Sequence, residues 1–185
     1  SKPMNNSELE TLIRNILREQ LVPATPRTLR NAIFQTVDEA VCAAHQAFLR
    51  FQQCPLKTRS AIISAIREEL MPRLTELAEE SAKETGMGNK EDKYLKNKAA
   101  LDNTPGVEDL TTTALTGDGG MVLFEYSPFG VIGSVTPSTN PTETIINNSI
   151  SMLAAGNSVY FSPHPGAKYV SLKLMTTIED IAFRC

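Results

Sequence analysis

Phe129-Gly130-Val131-Ile132-Gly133-Ser134-Val135-Thr136-Pro137-Ser138-Thr139-Asn140-Pro141-Thr142 is the stretch on which the fold turns. A short β-prone run, Val131 to Val135, leads into small polar residues and then into a helix start. Asn140 stands where an N-cap belongs, Pro141 at the first helical position and Glu143 at the third. The helix is expected from about Pro141 to Ala155, with Gly156 suited to its C-terminal cap. Val159-Tyr160-Phe161 reads as the next short strand, followed by a loop, Ser162 to Gly166, and a last helix from about Ala167 to Phe183. Strand, helix, strand, helix is the pattern of a parallel α/β unit. In such a unit the loop between a strand end and a helix N-terminus is a natural place for a ligand. Asn140 also has a plainer use, as a helix cap and nothing more. His164 and Lys168 either touch a ribose or phosphate or are simply solvated. The spacing Gly130-x-x-Gly133 does not make a dinucleotide fingerprint.

Upstream of this unit the pattern is helical. Thr36 and Glu39 form a capping-box pair, and Val37, Val41, Ala44, Phe48 and Phe51 line one face up to Pro55. Ile62, Ile63, Ile66 and Leu70 mark a second helix that Pro72 breaks or restarts, and Leu74, Leu77 and Ala78 continue the stripe until Gly86. Residues 89–101 are charged and helix-prone, and residues 104–120 read as loop, with Gly117-Asp118-Gly119-Gly120 as a turn. Met121 to Tyr126 reads as a strand joined to the Val131 run by Ser127-Pro128-Phe129-Gly130.

Residues 4–21 read as a separate amphipathic helix. Leu9, Leu12, Ile13, Ile16 and Leu17 fall at helical spacing, and Ser7 with Glu10 makes a capping pair. At about four turns such a helix is marginal alone in water, so its stripe needs cover. Residues 22–32, with Pro23 and Pro26, read as a linker, and the body begins near Ile33.

With 185 residues, 41% hydrophobic, the chain can bury a core. A net charge of −3 without a basic block argues against nucleic acid as a partner. No apolar run approaches the roughly 18 residues of a membrane span. In residues 4–21, Glu8, Glu10 and Glu19 outnumber Arg14 and Arg18, which argues against anionic lipid. Cys42, Cys54 and Cys185 show no metal-ligand spacing, so no metal site is expected.

Ser127 to Pro141 together with Ala154 to Lys168 resembles the aldehyde dehydrogenase superfamily. Gly86-Met87-Gly88-Asn89-Lys90-Glu91-Asp92-Lys93 and Ser138-Thr139-Asn140-Pro141-Thr142 look like its CoA-acylating branch, most closely the propionaldehyde dehydrogenases of propanediol-utilisation microcompartments. The resemblance implies an α/β, aldehyde dehydrogenase-like fold. Residues 33–185 would supply an N-terminal helical layer, then the first strands and helices of an incomplete Rossmann-type NAD-binding domain. By position, Asn140 matches the family asparagine whose amide helps form the oxyanion hole. Thr136, Pro137, Ser138 and Thr139 match the loop along the nicotinamide half of NAD, and Ser162, His164 and Pro165 match the loop at the adenosine ribose. Many non-acylating relatives carry Lys where Ser162 stands, which leaves the choice of NAD or NADP open.

The resemblance further implies a short-chain aldehyde, propionaldehyde or a similar one, as substrate, with NAD as cofactor and CoA as co-substrate that takes the acyl group from a cysteine thioester. None of the three cysteines matches that nucleophile, so the chain is expected to be inactive alone. Residues 4–21 resemble the encapsulation peptide of microcompartment cargo, which implies docking to a shell protein or another cargo helix in the microcompartment lumen. Docking on its own domain is the alternative use of the stripe. Full-length members form homo-oligomers, partly through strands like Met121 to Tyr126. A second reading makes the chain an interaction module that acts through residues 4–21 alone.

Residues 4–21 fused to a fluorescent protein are expected to localise to microcompartments in cells that make them. Diffuse fluorescence, unchanged by Leu12→Ala or Ile16→Ala, would contradict this.

Overall fold

Thr36 opens the first helix, α1 (Val37–Phe51), with its Oγ1 accepting from the Glu39 N–H at 3.2 Å. A computed structural model describes residues 32–185. The expected helix over residues 4–21, its Ser7–Glu10 pair and residues 22–31 of the expected linker lie outside the described residues. The stripe expected on α1 is covered only in part: Ala44 is buried, Phe48 and Phe51 are half-buried, and Val37 and Val41 are exposed.

Helices α2 (Leu56–Leu70) and α3 (Leu74–Thr85) are separated by one 3-10 turn, Met71–Arg73, which holds Pro72. Proline tolerates such a restart because the first amides of a helix lack partners anyway. Gly86 ends α3 in the left-handed region, φ 65°, where a side chain is strained. Helix α4 (Lys90–Asn103) is capped by Asn89, whose Oδ1 accepts from the Asp92 N–H at 2.8 Å.

The loop expected over 104–120 is not a loop throughout. Thr113–Gly117 is strand β1, and it pairs antiparallel with β2 (Gly120–Phe124), Thr113 facing Phe124. Both strands are exposed along their length, so no alternation of buried and solvated residues marks them in the sequence. β2 pairs with β1 and belongs to a different sheet from the Val131 strand.

The strand–helix–strand–helix unit forms as expected: β3 (Val131–Thr136), α5 (Pro141–Ala154), β4 (Ser158–Pro163) and α6 (Lys168–Arg184). β3 and β4 are parallel, in register from Val131 opposite Ser158 to Thr136 opposite Pro163. Gly156, at φ 83°, turns the chain out of α5. Asn157 then anchors the start of β3: its Oδ1 accepts from the buried Gly130 N–H at 3.0 Å. Ile66 and Leu70 of α2, Leu74 of α3, Leu101 of α4, Ile145, Ile146 and Ile150 of α5, and Leu174 of α6 are fully buried in one core. Each contributes about 1.5–3 kcal/mol relative to exposure. The core lies on the α5 side of the parallel pair, where Ser134 and Thr136 of β3 are buried; Val135, pointing the other way, is exposed.

Glu179 on α6 is half-buried, and its Oε2 has no hydrogen-bond partner. Burial pushes its carboxyl above the usual value of 4.5; a hydrogen bond from the Ala32 backbone opposes this, and the nearby Asp180 charge adds to it. A carboxyl raised in the folded state favours folding below its unfolded pKa, and that contribution is lost as pH rises through the folded value. Glu179→Gln is therefore expected to raise the urea midpoint near neutral pH, with the gap closing once the pH falls below 4.5. An equal midpoint for both proteins at neutral pH would contradict this.

Candidate functional site

Parallel pairing brings the ends of β3 and β4 side by side. Val135 lies opposite Ser162 and Thr136 opposite Pro163, and the His164 N–H donates to the Thr136 carbonyl at 3.0 Å. The two loops picked out in the sequence, Thr136 to Thr139 and Ser162 to Pro165, therefore leave the sheet together at its carboxyl edge, where open α/β folds bind ligands. Thr136 is almost fully buried and its Oγ1 has no hydrogen-bond partner. Ser138 and Ser162 are half-buried; Pro137, Thr139, His164, Pro165 and Lys168 are exposed.

His164 is more than a solvated side chain. Its Nδ1 accepts from the Gly166 N–H at 3.0 Å, so a neutral ring carries its proton on Nε2. A Cβ at Gly166 would lie 3.2 Å from His164 Nδ1 and 3.9 Å from Ser138 Cβ. The bare glycine thus lets the Nδ1 of His164 fold back closely onto its own loop.

Asn140 occupies the N-cap position of α5 but does not cap it: its side chain makes no hydrogen bond to the helix amides. Glu143 does not complete a capping box either; its Oε2 lies 3.2 Å from Thr142 Oγ1. Asn140 Oδ1 instead accepts from Lys96 Nζ at 3.1 Å. Two neighbours on α4 act beside it. Lys93 Nζ donates to the Thr139 carbonyl at 3.1 Å, and Asn97 Oδ1 accepts from Thr142 Oγ1 at 2.8 Å. Positions 93, 96 and 97 share one helical face, and their partners follow in chain order at 139, 140 and 142. Lys93 is 3% exposed and Asn97 fully buried.

Left-handed glycines on both sides, Gly86 at φ 65° and Gly88 at φ 70°, place Met87 where its sulfur accepts from Ser138 Oγ at 3.9 Å. The two signature segments, 86–93 and 138–142, thus meet in space although more than forty residues separate them. The α4 residues Lys96 and Asn97 were not singled out in the sequence. Their one-face spacing is the only signal there, and a solvated helix face carries the same spacing.

The thiols lie on other elements. Cys42 is exposed on α1, Cys54 Sγ contacts the Arg50 carbonyl at 3.7 Å, and Cys185 Sγ contacts the Ile181 carbonyl at 3.5 Å. Among the described residues no group of three acidic, His or Cys side chains is placed to hold a metal, and no helix is long and apolar enough to cross a membrane.

The chain is similar to known proteins in both sequence and fold. Residues 24–183 match the sequence pattern of the aldehyde dehydrogenase family. Over 182 residues the chain is 84% identical to a CoA-propanoylating propanal dehydrogenase of Citrobacter freundii, a match that takes in 98% of this chain and 40% of that protein. The fold superposes with TM-score 0.80 on the Rhodopseudomonas palustris propionaldehyde dehydrogenase solved with bound CoA, at 50% identity over 83% of this chain and 35% of that one. A propionaldehyde dehydrogenase from the fucose-utilisation microcompartment of Clostridium phytofermentans superposes at TM-score 0.79, with 44% identity over 83% of this chain and 35% of its own. The chain spans about two-fifths of the length of the Citrobacter relative. With the family pattern matched along residues 24–183 and 98% of its length aligned at 84% identity to a relative, this chain belongs to the aldehyde dehydrogenase family.

Proposed function

We propose that this chain forms the cofactor-facing and oxyanion-facing part of an enzyme that converts propanal, CoA and NAD+ into propanoyl-CoA, NADH and a proton. The observation that carries the reading is the Asn140 carboxamide, which stands at a helix N-terminus beside the parallel strand ends and is not used as a cap. An amide donor there stabilises the negative charge that develops on an aldehyde oxygen once a thiolate has attacked it. The amino end of α5 adds a fixed positive potential at the same place.

The residues present fit a dinucleotide. The two loops at the carboxyl edge are tied by the His164 N–H to the Thr136 carbonyl, His164 Nε2 has no partner among the described residues, and the buried Thr136 hydroxyl lacks a partner. Thr136 to Thr139 would hold the nicotinamide half and Ser162, His164 and Pro165 the adenosine ribose. NAD, when bound, accepts the hydride of the aldehyde carbon. The thiolate comes from outside these elements, since Cys42, Cys54 and Cys185 sit on α1, in the following turn and after α6. The origin of the Clostridium relative and the stripe at residues 4–21 support work inside a microcompartment, docked to a shell or cargo helix. Leu115, Met121, Val122 and Phe124, all more than half exposed on the β1–β2 hairpin, support assembly with further copies.

The test is a chimera in which this chain replaces the matching part of the Citrobacter freundii enzyme. Such a protein is expected to form NADH from propanal and NAD+ only when CoA is present, whereas the 185-residue chain alone is expected to form none. A folded chimera without CoA-dependent NADH formation would contradict the proposal.

A further inference from the structure

We infer that Lys96 is a positioning residue: it holds Asn140 out of the capping geometry and so keeps its amide free as a donor. The inference rests on the reading of Asn140 as the oxyanion donor. An ammonium group has hydrogens to give and no lone pair to offer, so its partner on a carboxamide is the oxygen. The 3.1 Å contact from Lys96 Nζ therefore fixes Oδ1, and because the carboxamide is planar it fixes Nδ2 as well. Among the described residues nothing accepts from Nδ2.

Capping would use that same oxygen. A capping asparagine accepts the N–H of the second or third helical residue through Oδ1. Lys96 competes for the acceptor and wins here, since no capping bond forms. Among the described residues no side chain caps the first amides of α5, which preserves the positive end of its dipole. Lys93 sets the backbone on which this happens. Its nearly buried ammonium donates to the carbonyl immediately before Asn140, and no carboxylate among the described residues lies in ion-pair range of it. Two cations from one face of α4 thus converge on residues 139 and 140. Lys96 itself is exposed, so replacing it leaves the core untouched, and Met matches Lys in helix propensity.

The experiment is a double-substitution cycle in the Citrobacter chimera with propanal, CoA and NAD+. Asn140→Ala is expected to lower kcat about 100-fold, the usual scale for one oxyanion donor. Lys96→Met is expected to lower kcat about tenfold while the KM for propanal moves less than about threefold, because a misplaced donor harms the transition state more than binding. Lys96→Arg, which still donates, is expected to restore most of kcat. Adding Lys96→Met to Asn140→Ala is expected to cost nothing further. Unchanged kcat in Lys96→Met beside a crippled Asn140→Ala enzyme would overturn the positioning role and leave the oxyanion reading intact. A Lys96→Met loss that persists in full on the Asn140→Ala background would overturn it too. Full activity in Asn140→Ala would remove both.

Discussion

Burial of α5 is the constraint from which the rest of the arrangement follows. Its Ile145, Ile146, Ile150 and Ala154 are buried, and it touches α2, α3, α4, α6 and both strands of the parallel pair. A helix that packs on so many partners has little freedom to rotate or slide, because protein interiors are close-packed and of low compressibility. Its amino end is therefore fixed relative to the end of β3, and the short loop 137–140 has to span that fixed gap. The site is positioned by hydrophobic packing on one side and hydrogen bonds on the other.

The hydrogen-bonded side is α4. Its outer residues look like those of any charged surface helix, yet the face bearing Lys93, Lys96 and Asn97 meets Thr139, Asn140 and Thr142 in sequence. A buried ammonium is costly unless hydrogen-bonded, so Lys93 holds its carbonyl partner firmly in place. The same helix carries the end of the Gly86–Lys93 segment, so that segment and Ser138–Thr142 lie against each other. Met87 beside Ser138 closes the contact from the other end.

The parallel unit was legible because its signals are local. Val131 to Val135, Pro141 at the first helical position and Gly156 at a left-handed turn each dictate backbone geometry without help from distant residues. β1 was not legible, since a hairpin exposed on both faces carries no burial pattern and Thr113–Gly117 gives only weak β-propensity. The loops at Thr136 and Ser162 were found as sequence features; that they meet depends on strand register, which no single stretch encodes. Asn140 shows the limit most clearly. Its position, followed by proline, has every local mark of a cap. Whether it caps is decided by an ammonium from Lys96, forty-four residues earlier in the chain.

The central claim is that the Asn140 amide is a donor held ready rather than a helix cap. A crystal structure of the Citrobacter chimera trapped as its propanoyl thioester tests this directly. The account predicts the acyl oxygen about 2.7–3.1 Å from Asn140 Nδ2, with Lys96 Nζ still on Oδ1. An acyl oxygen beyond hydrogen-bond reach of Nδ2, with Oδ1 turned onto the Glu143 N–H, would contradict it.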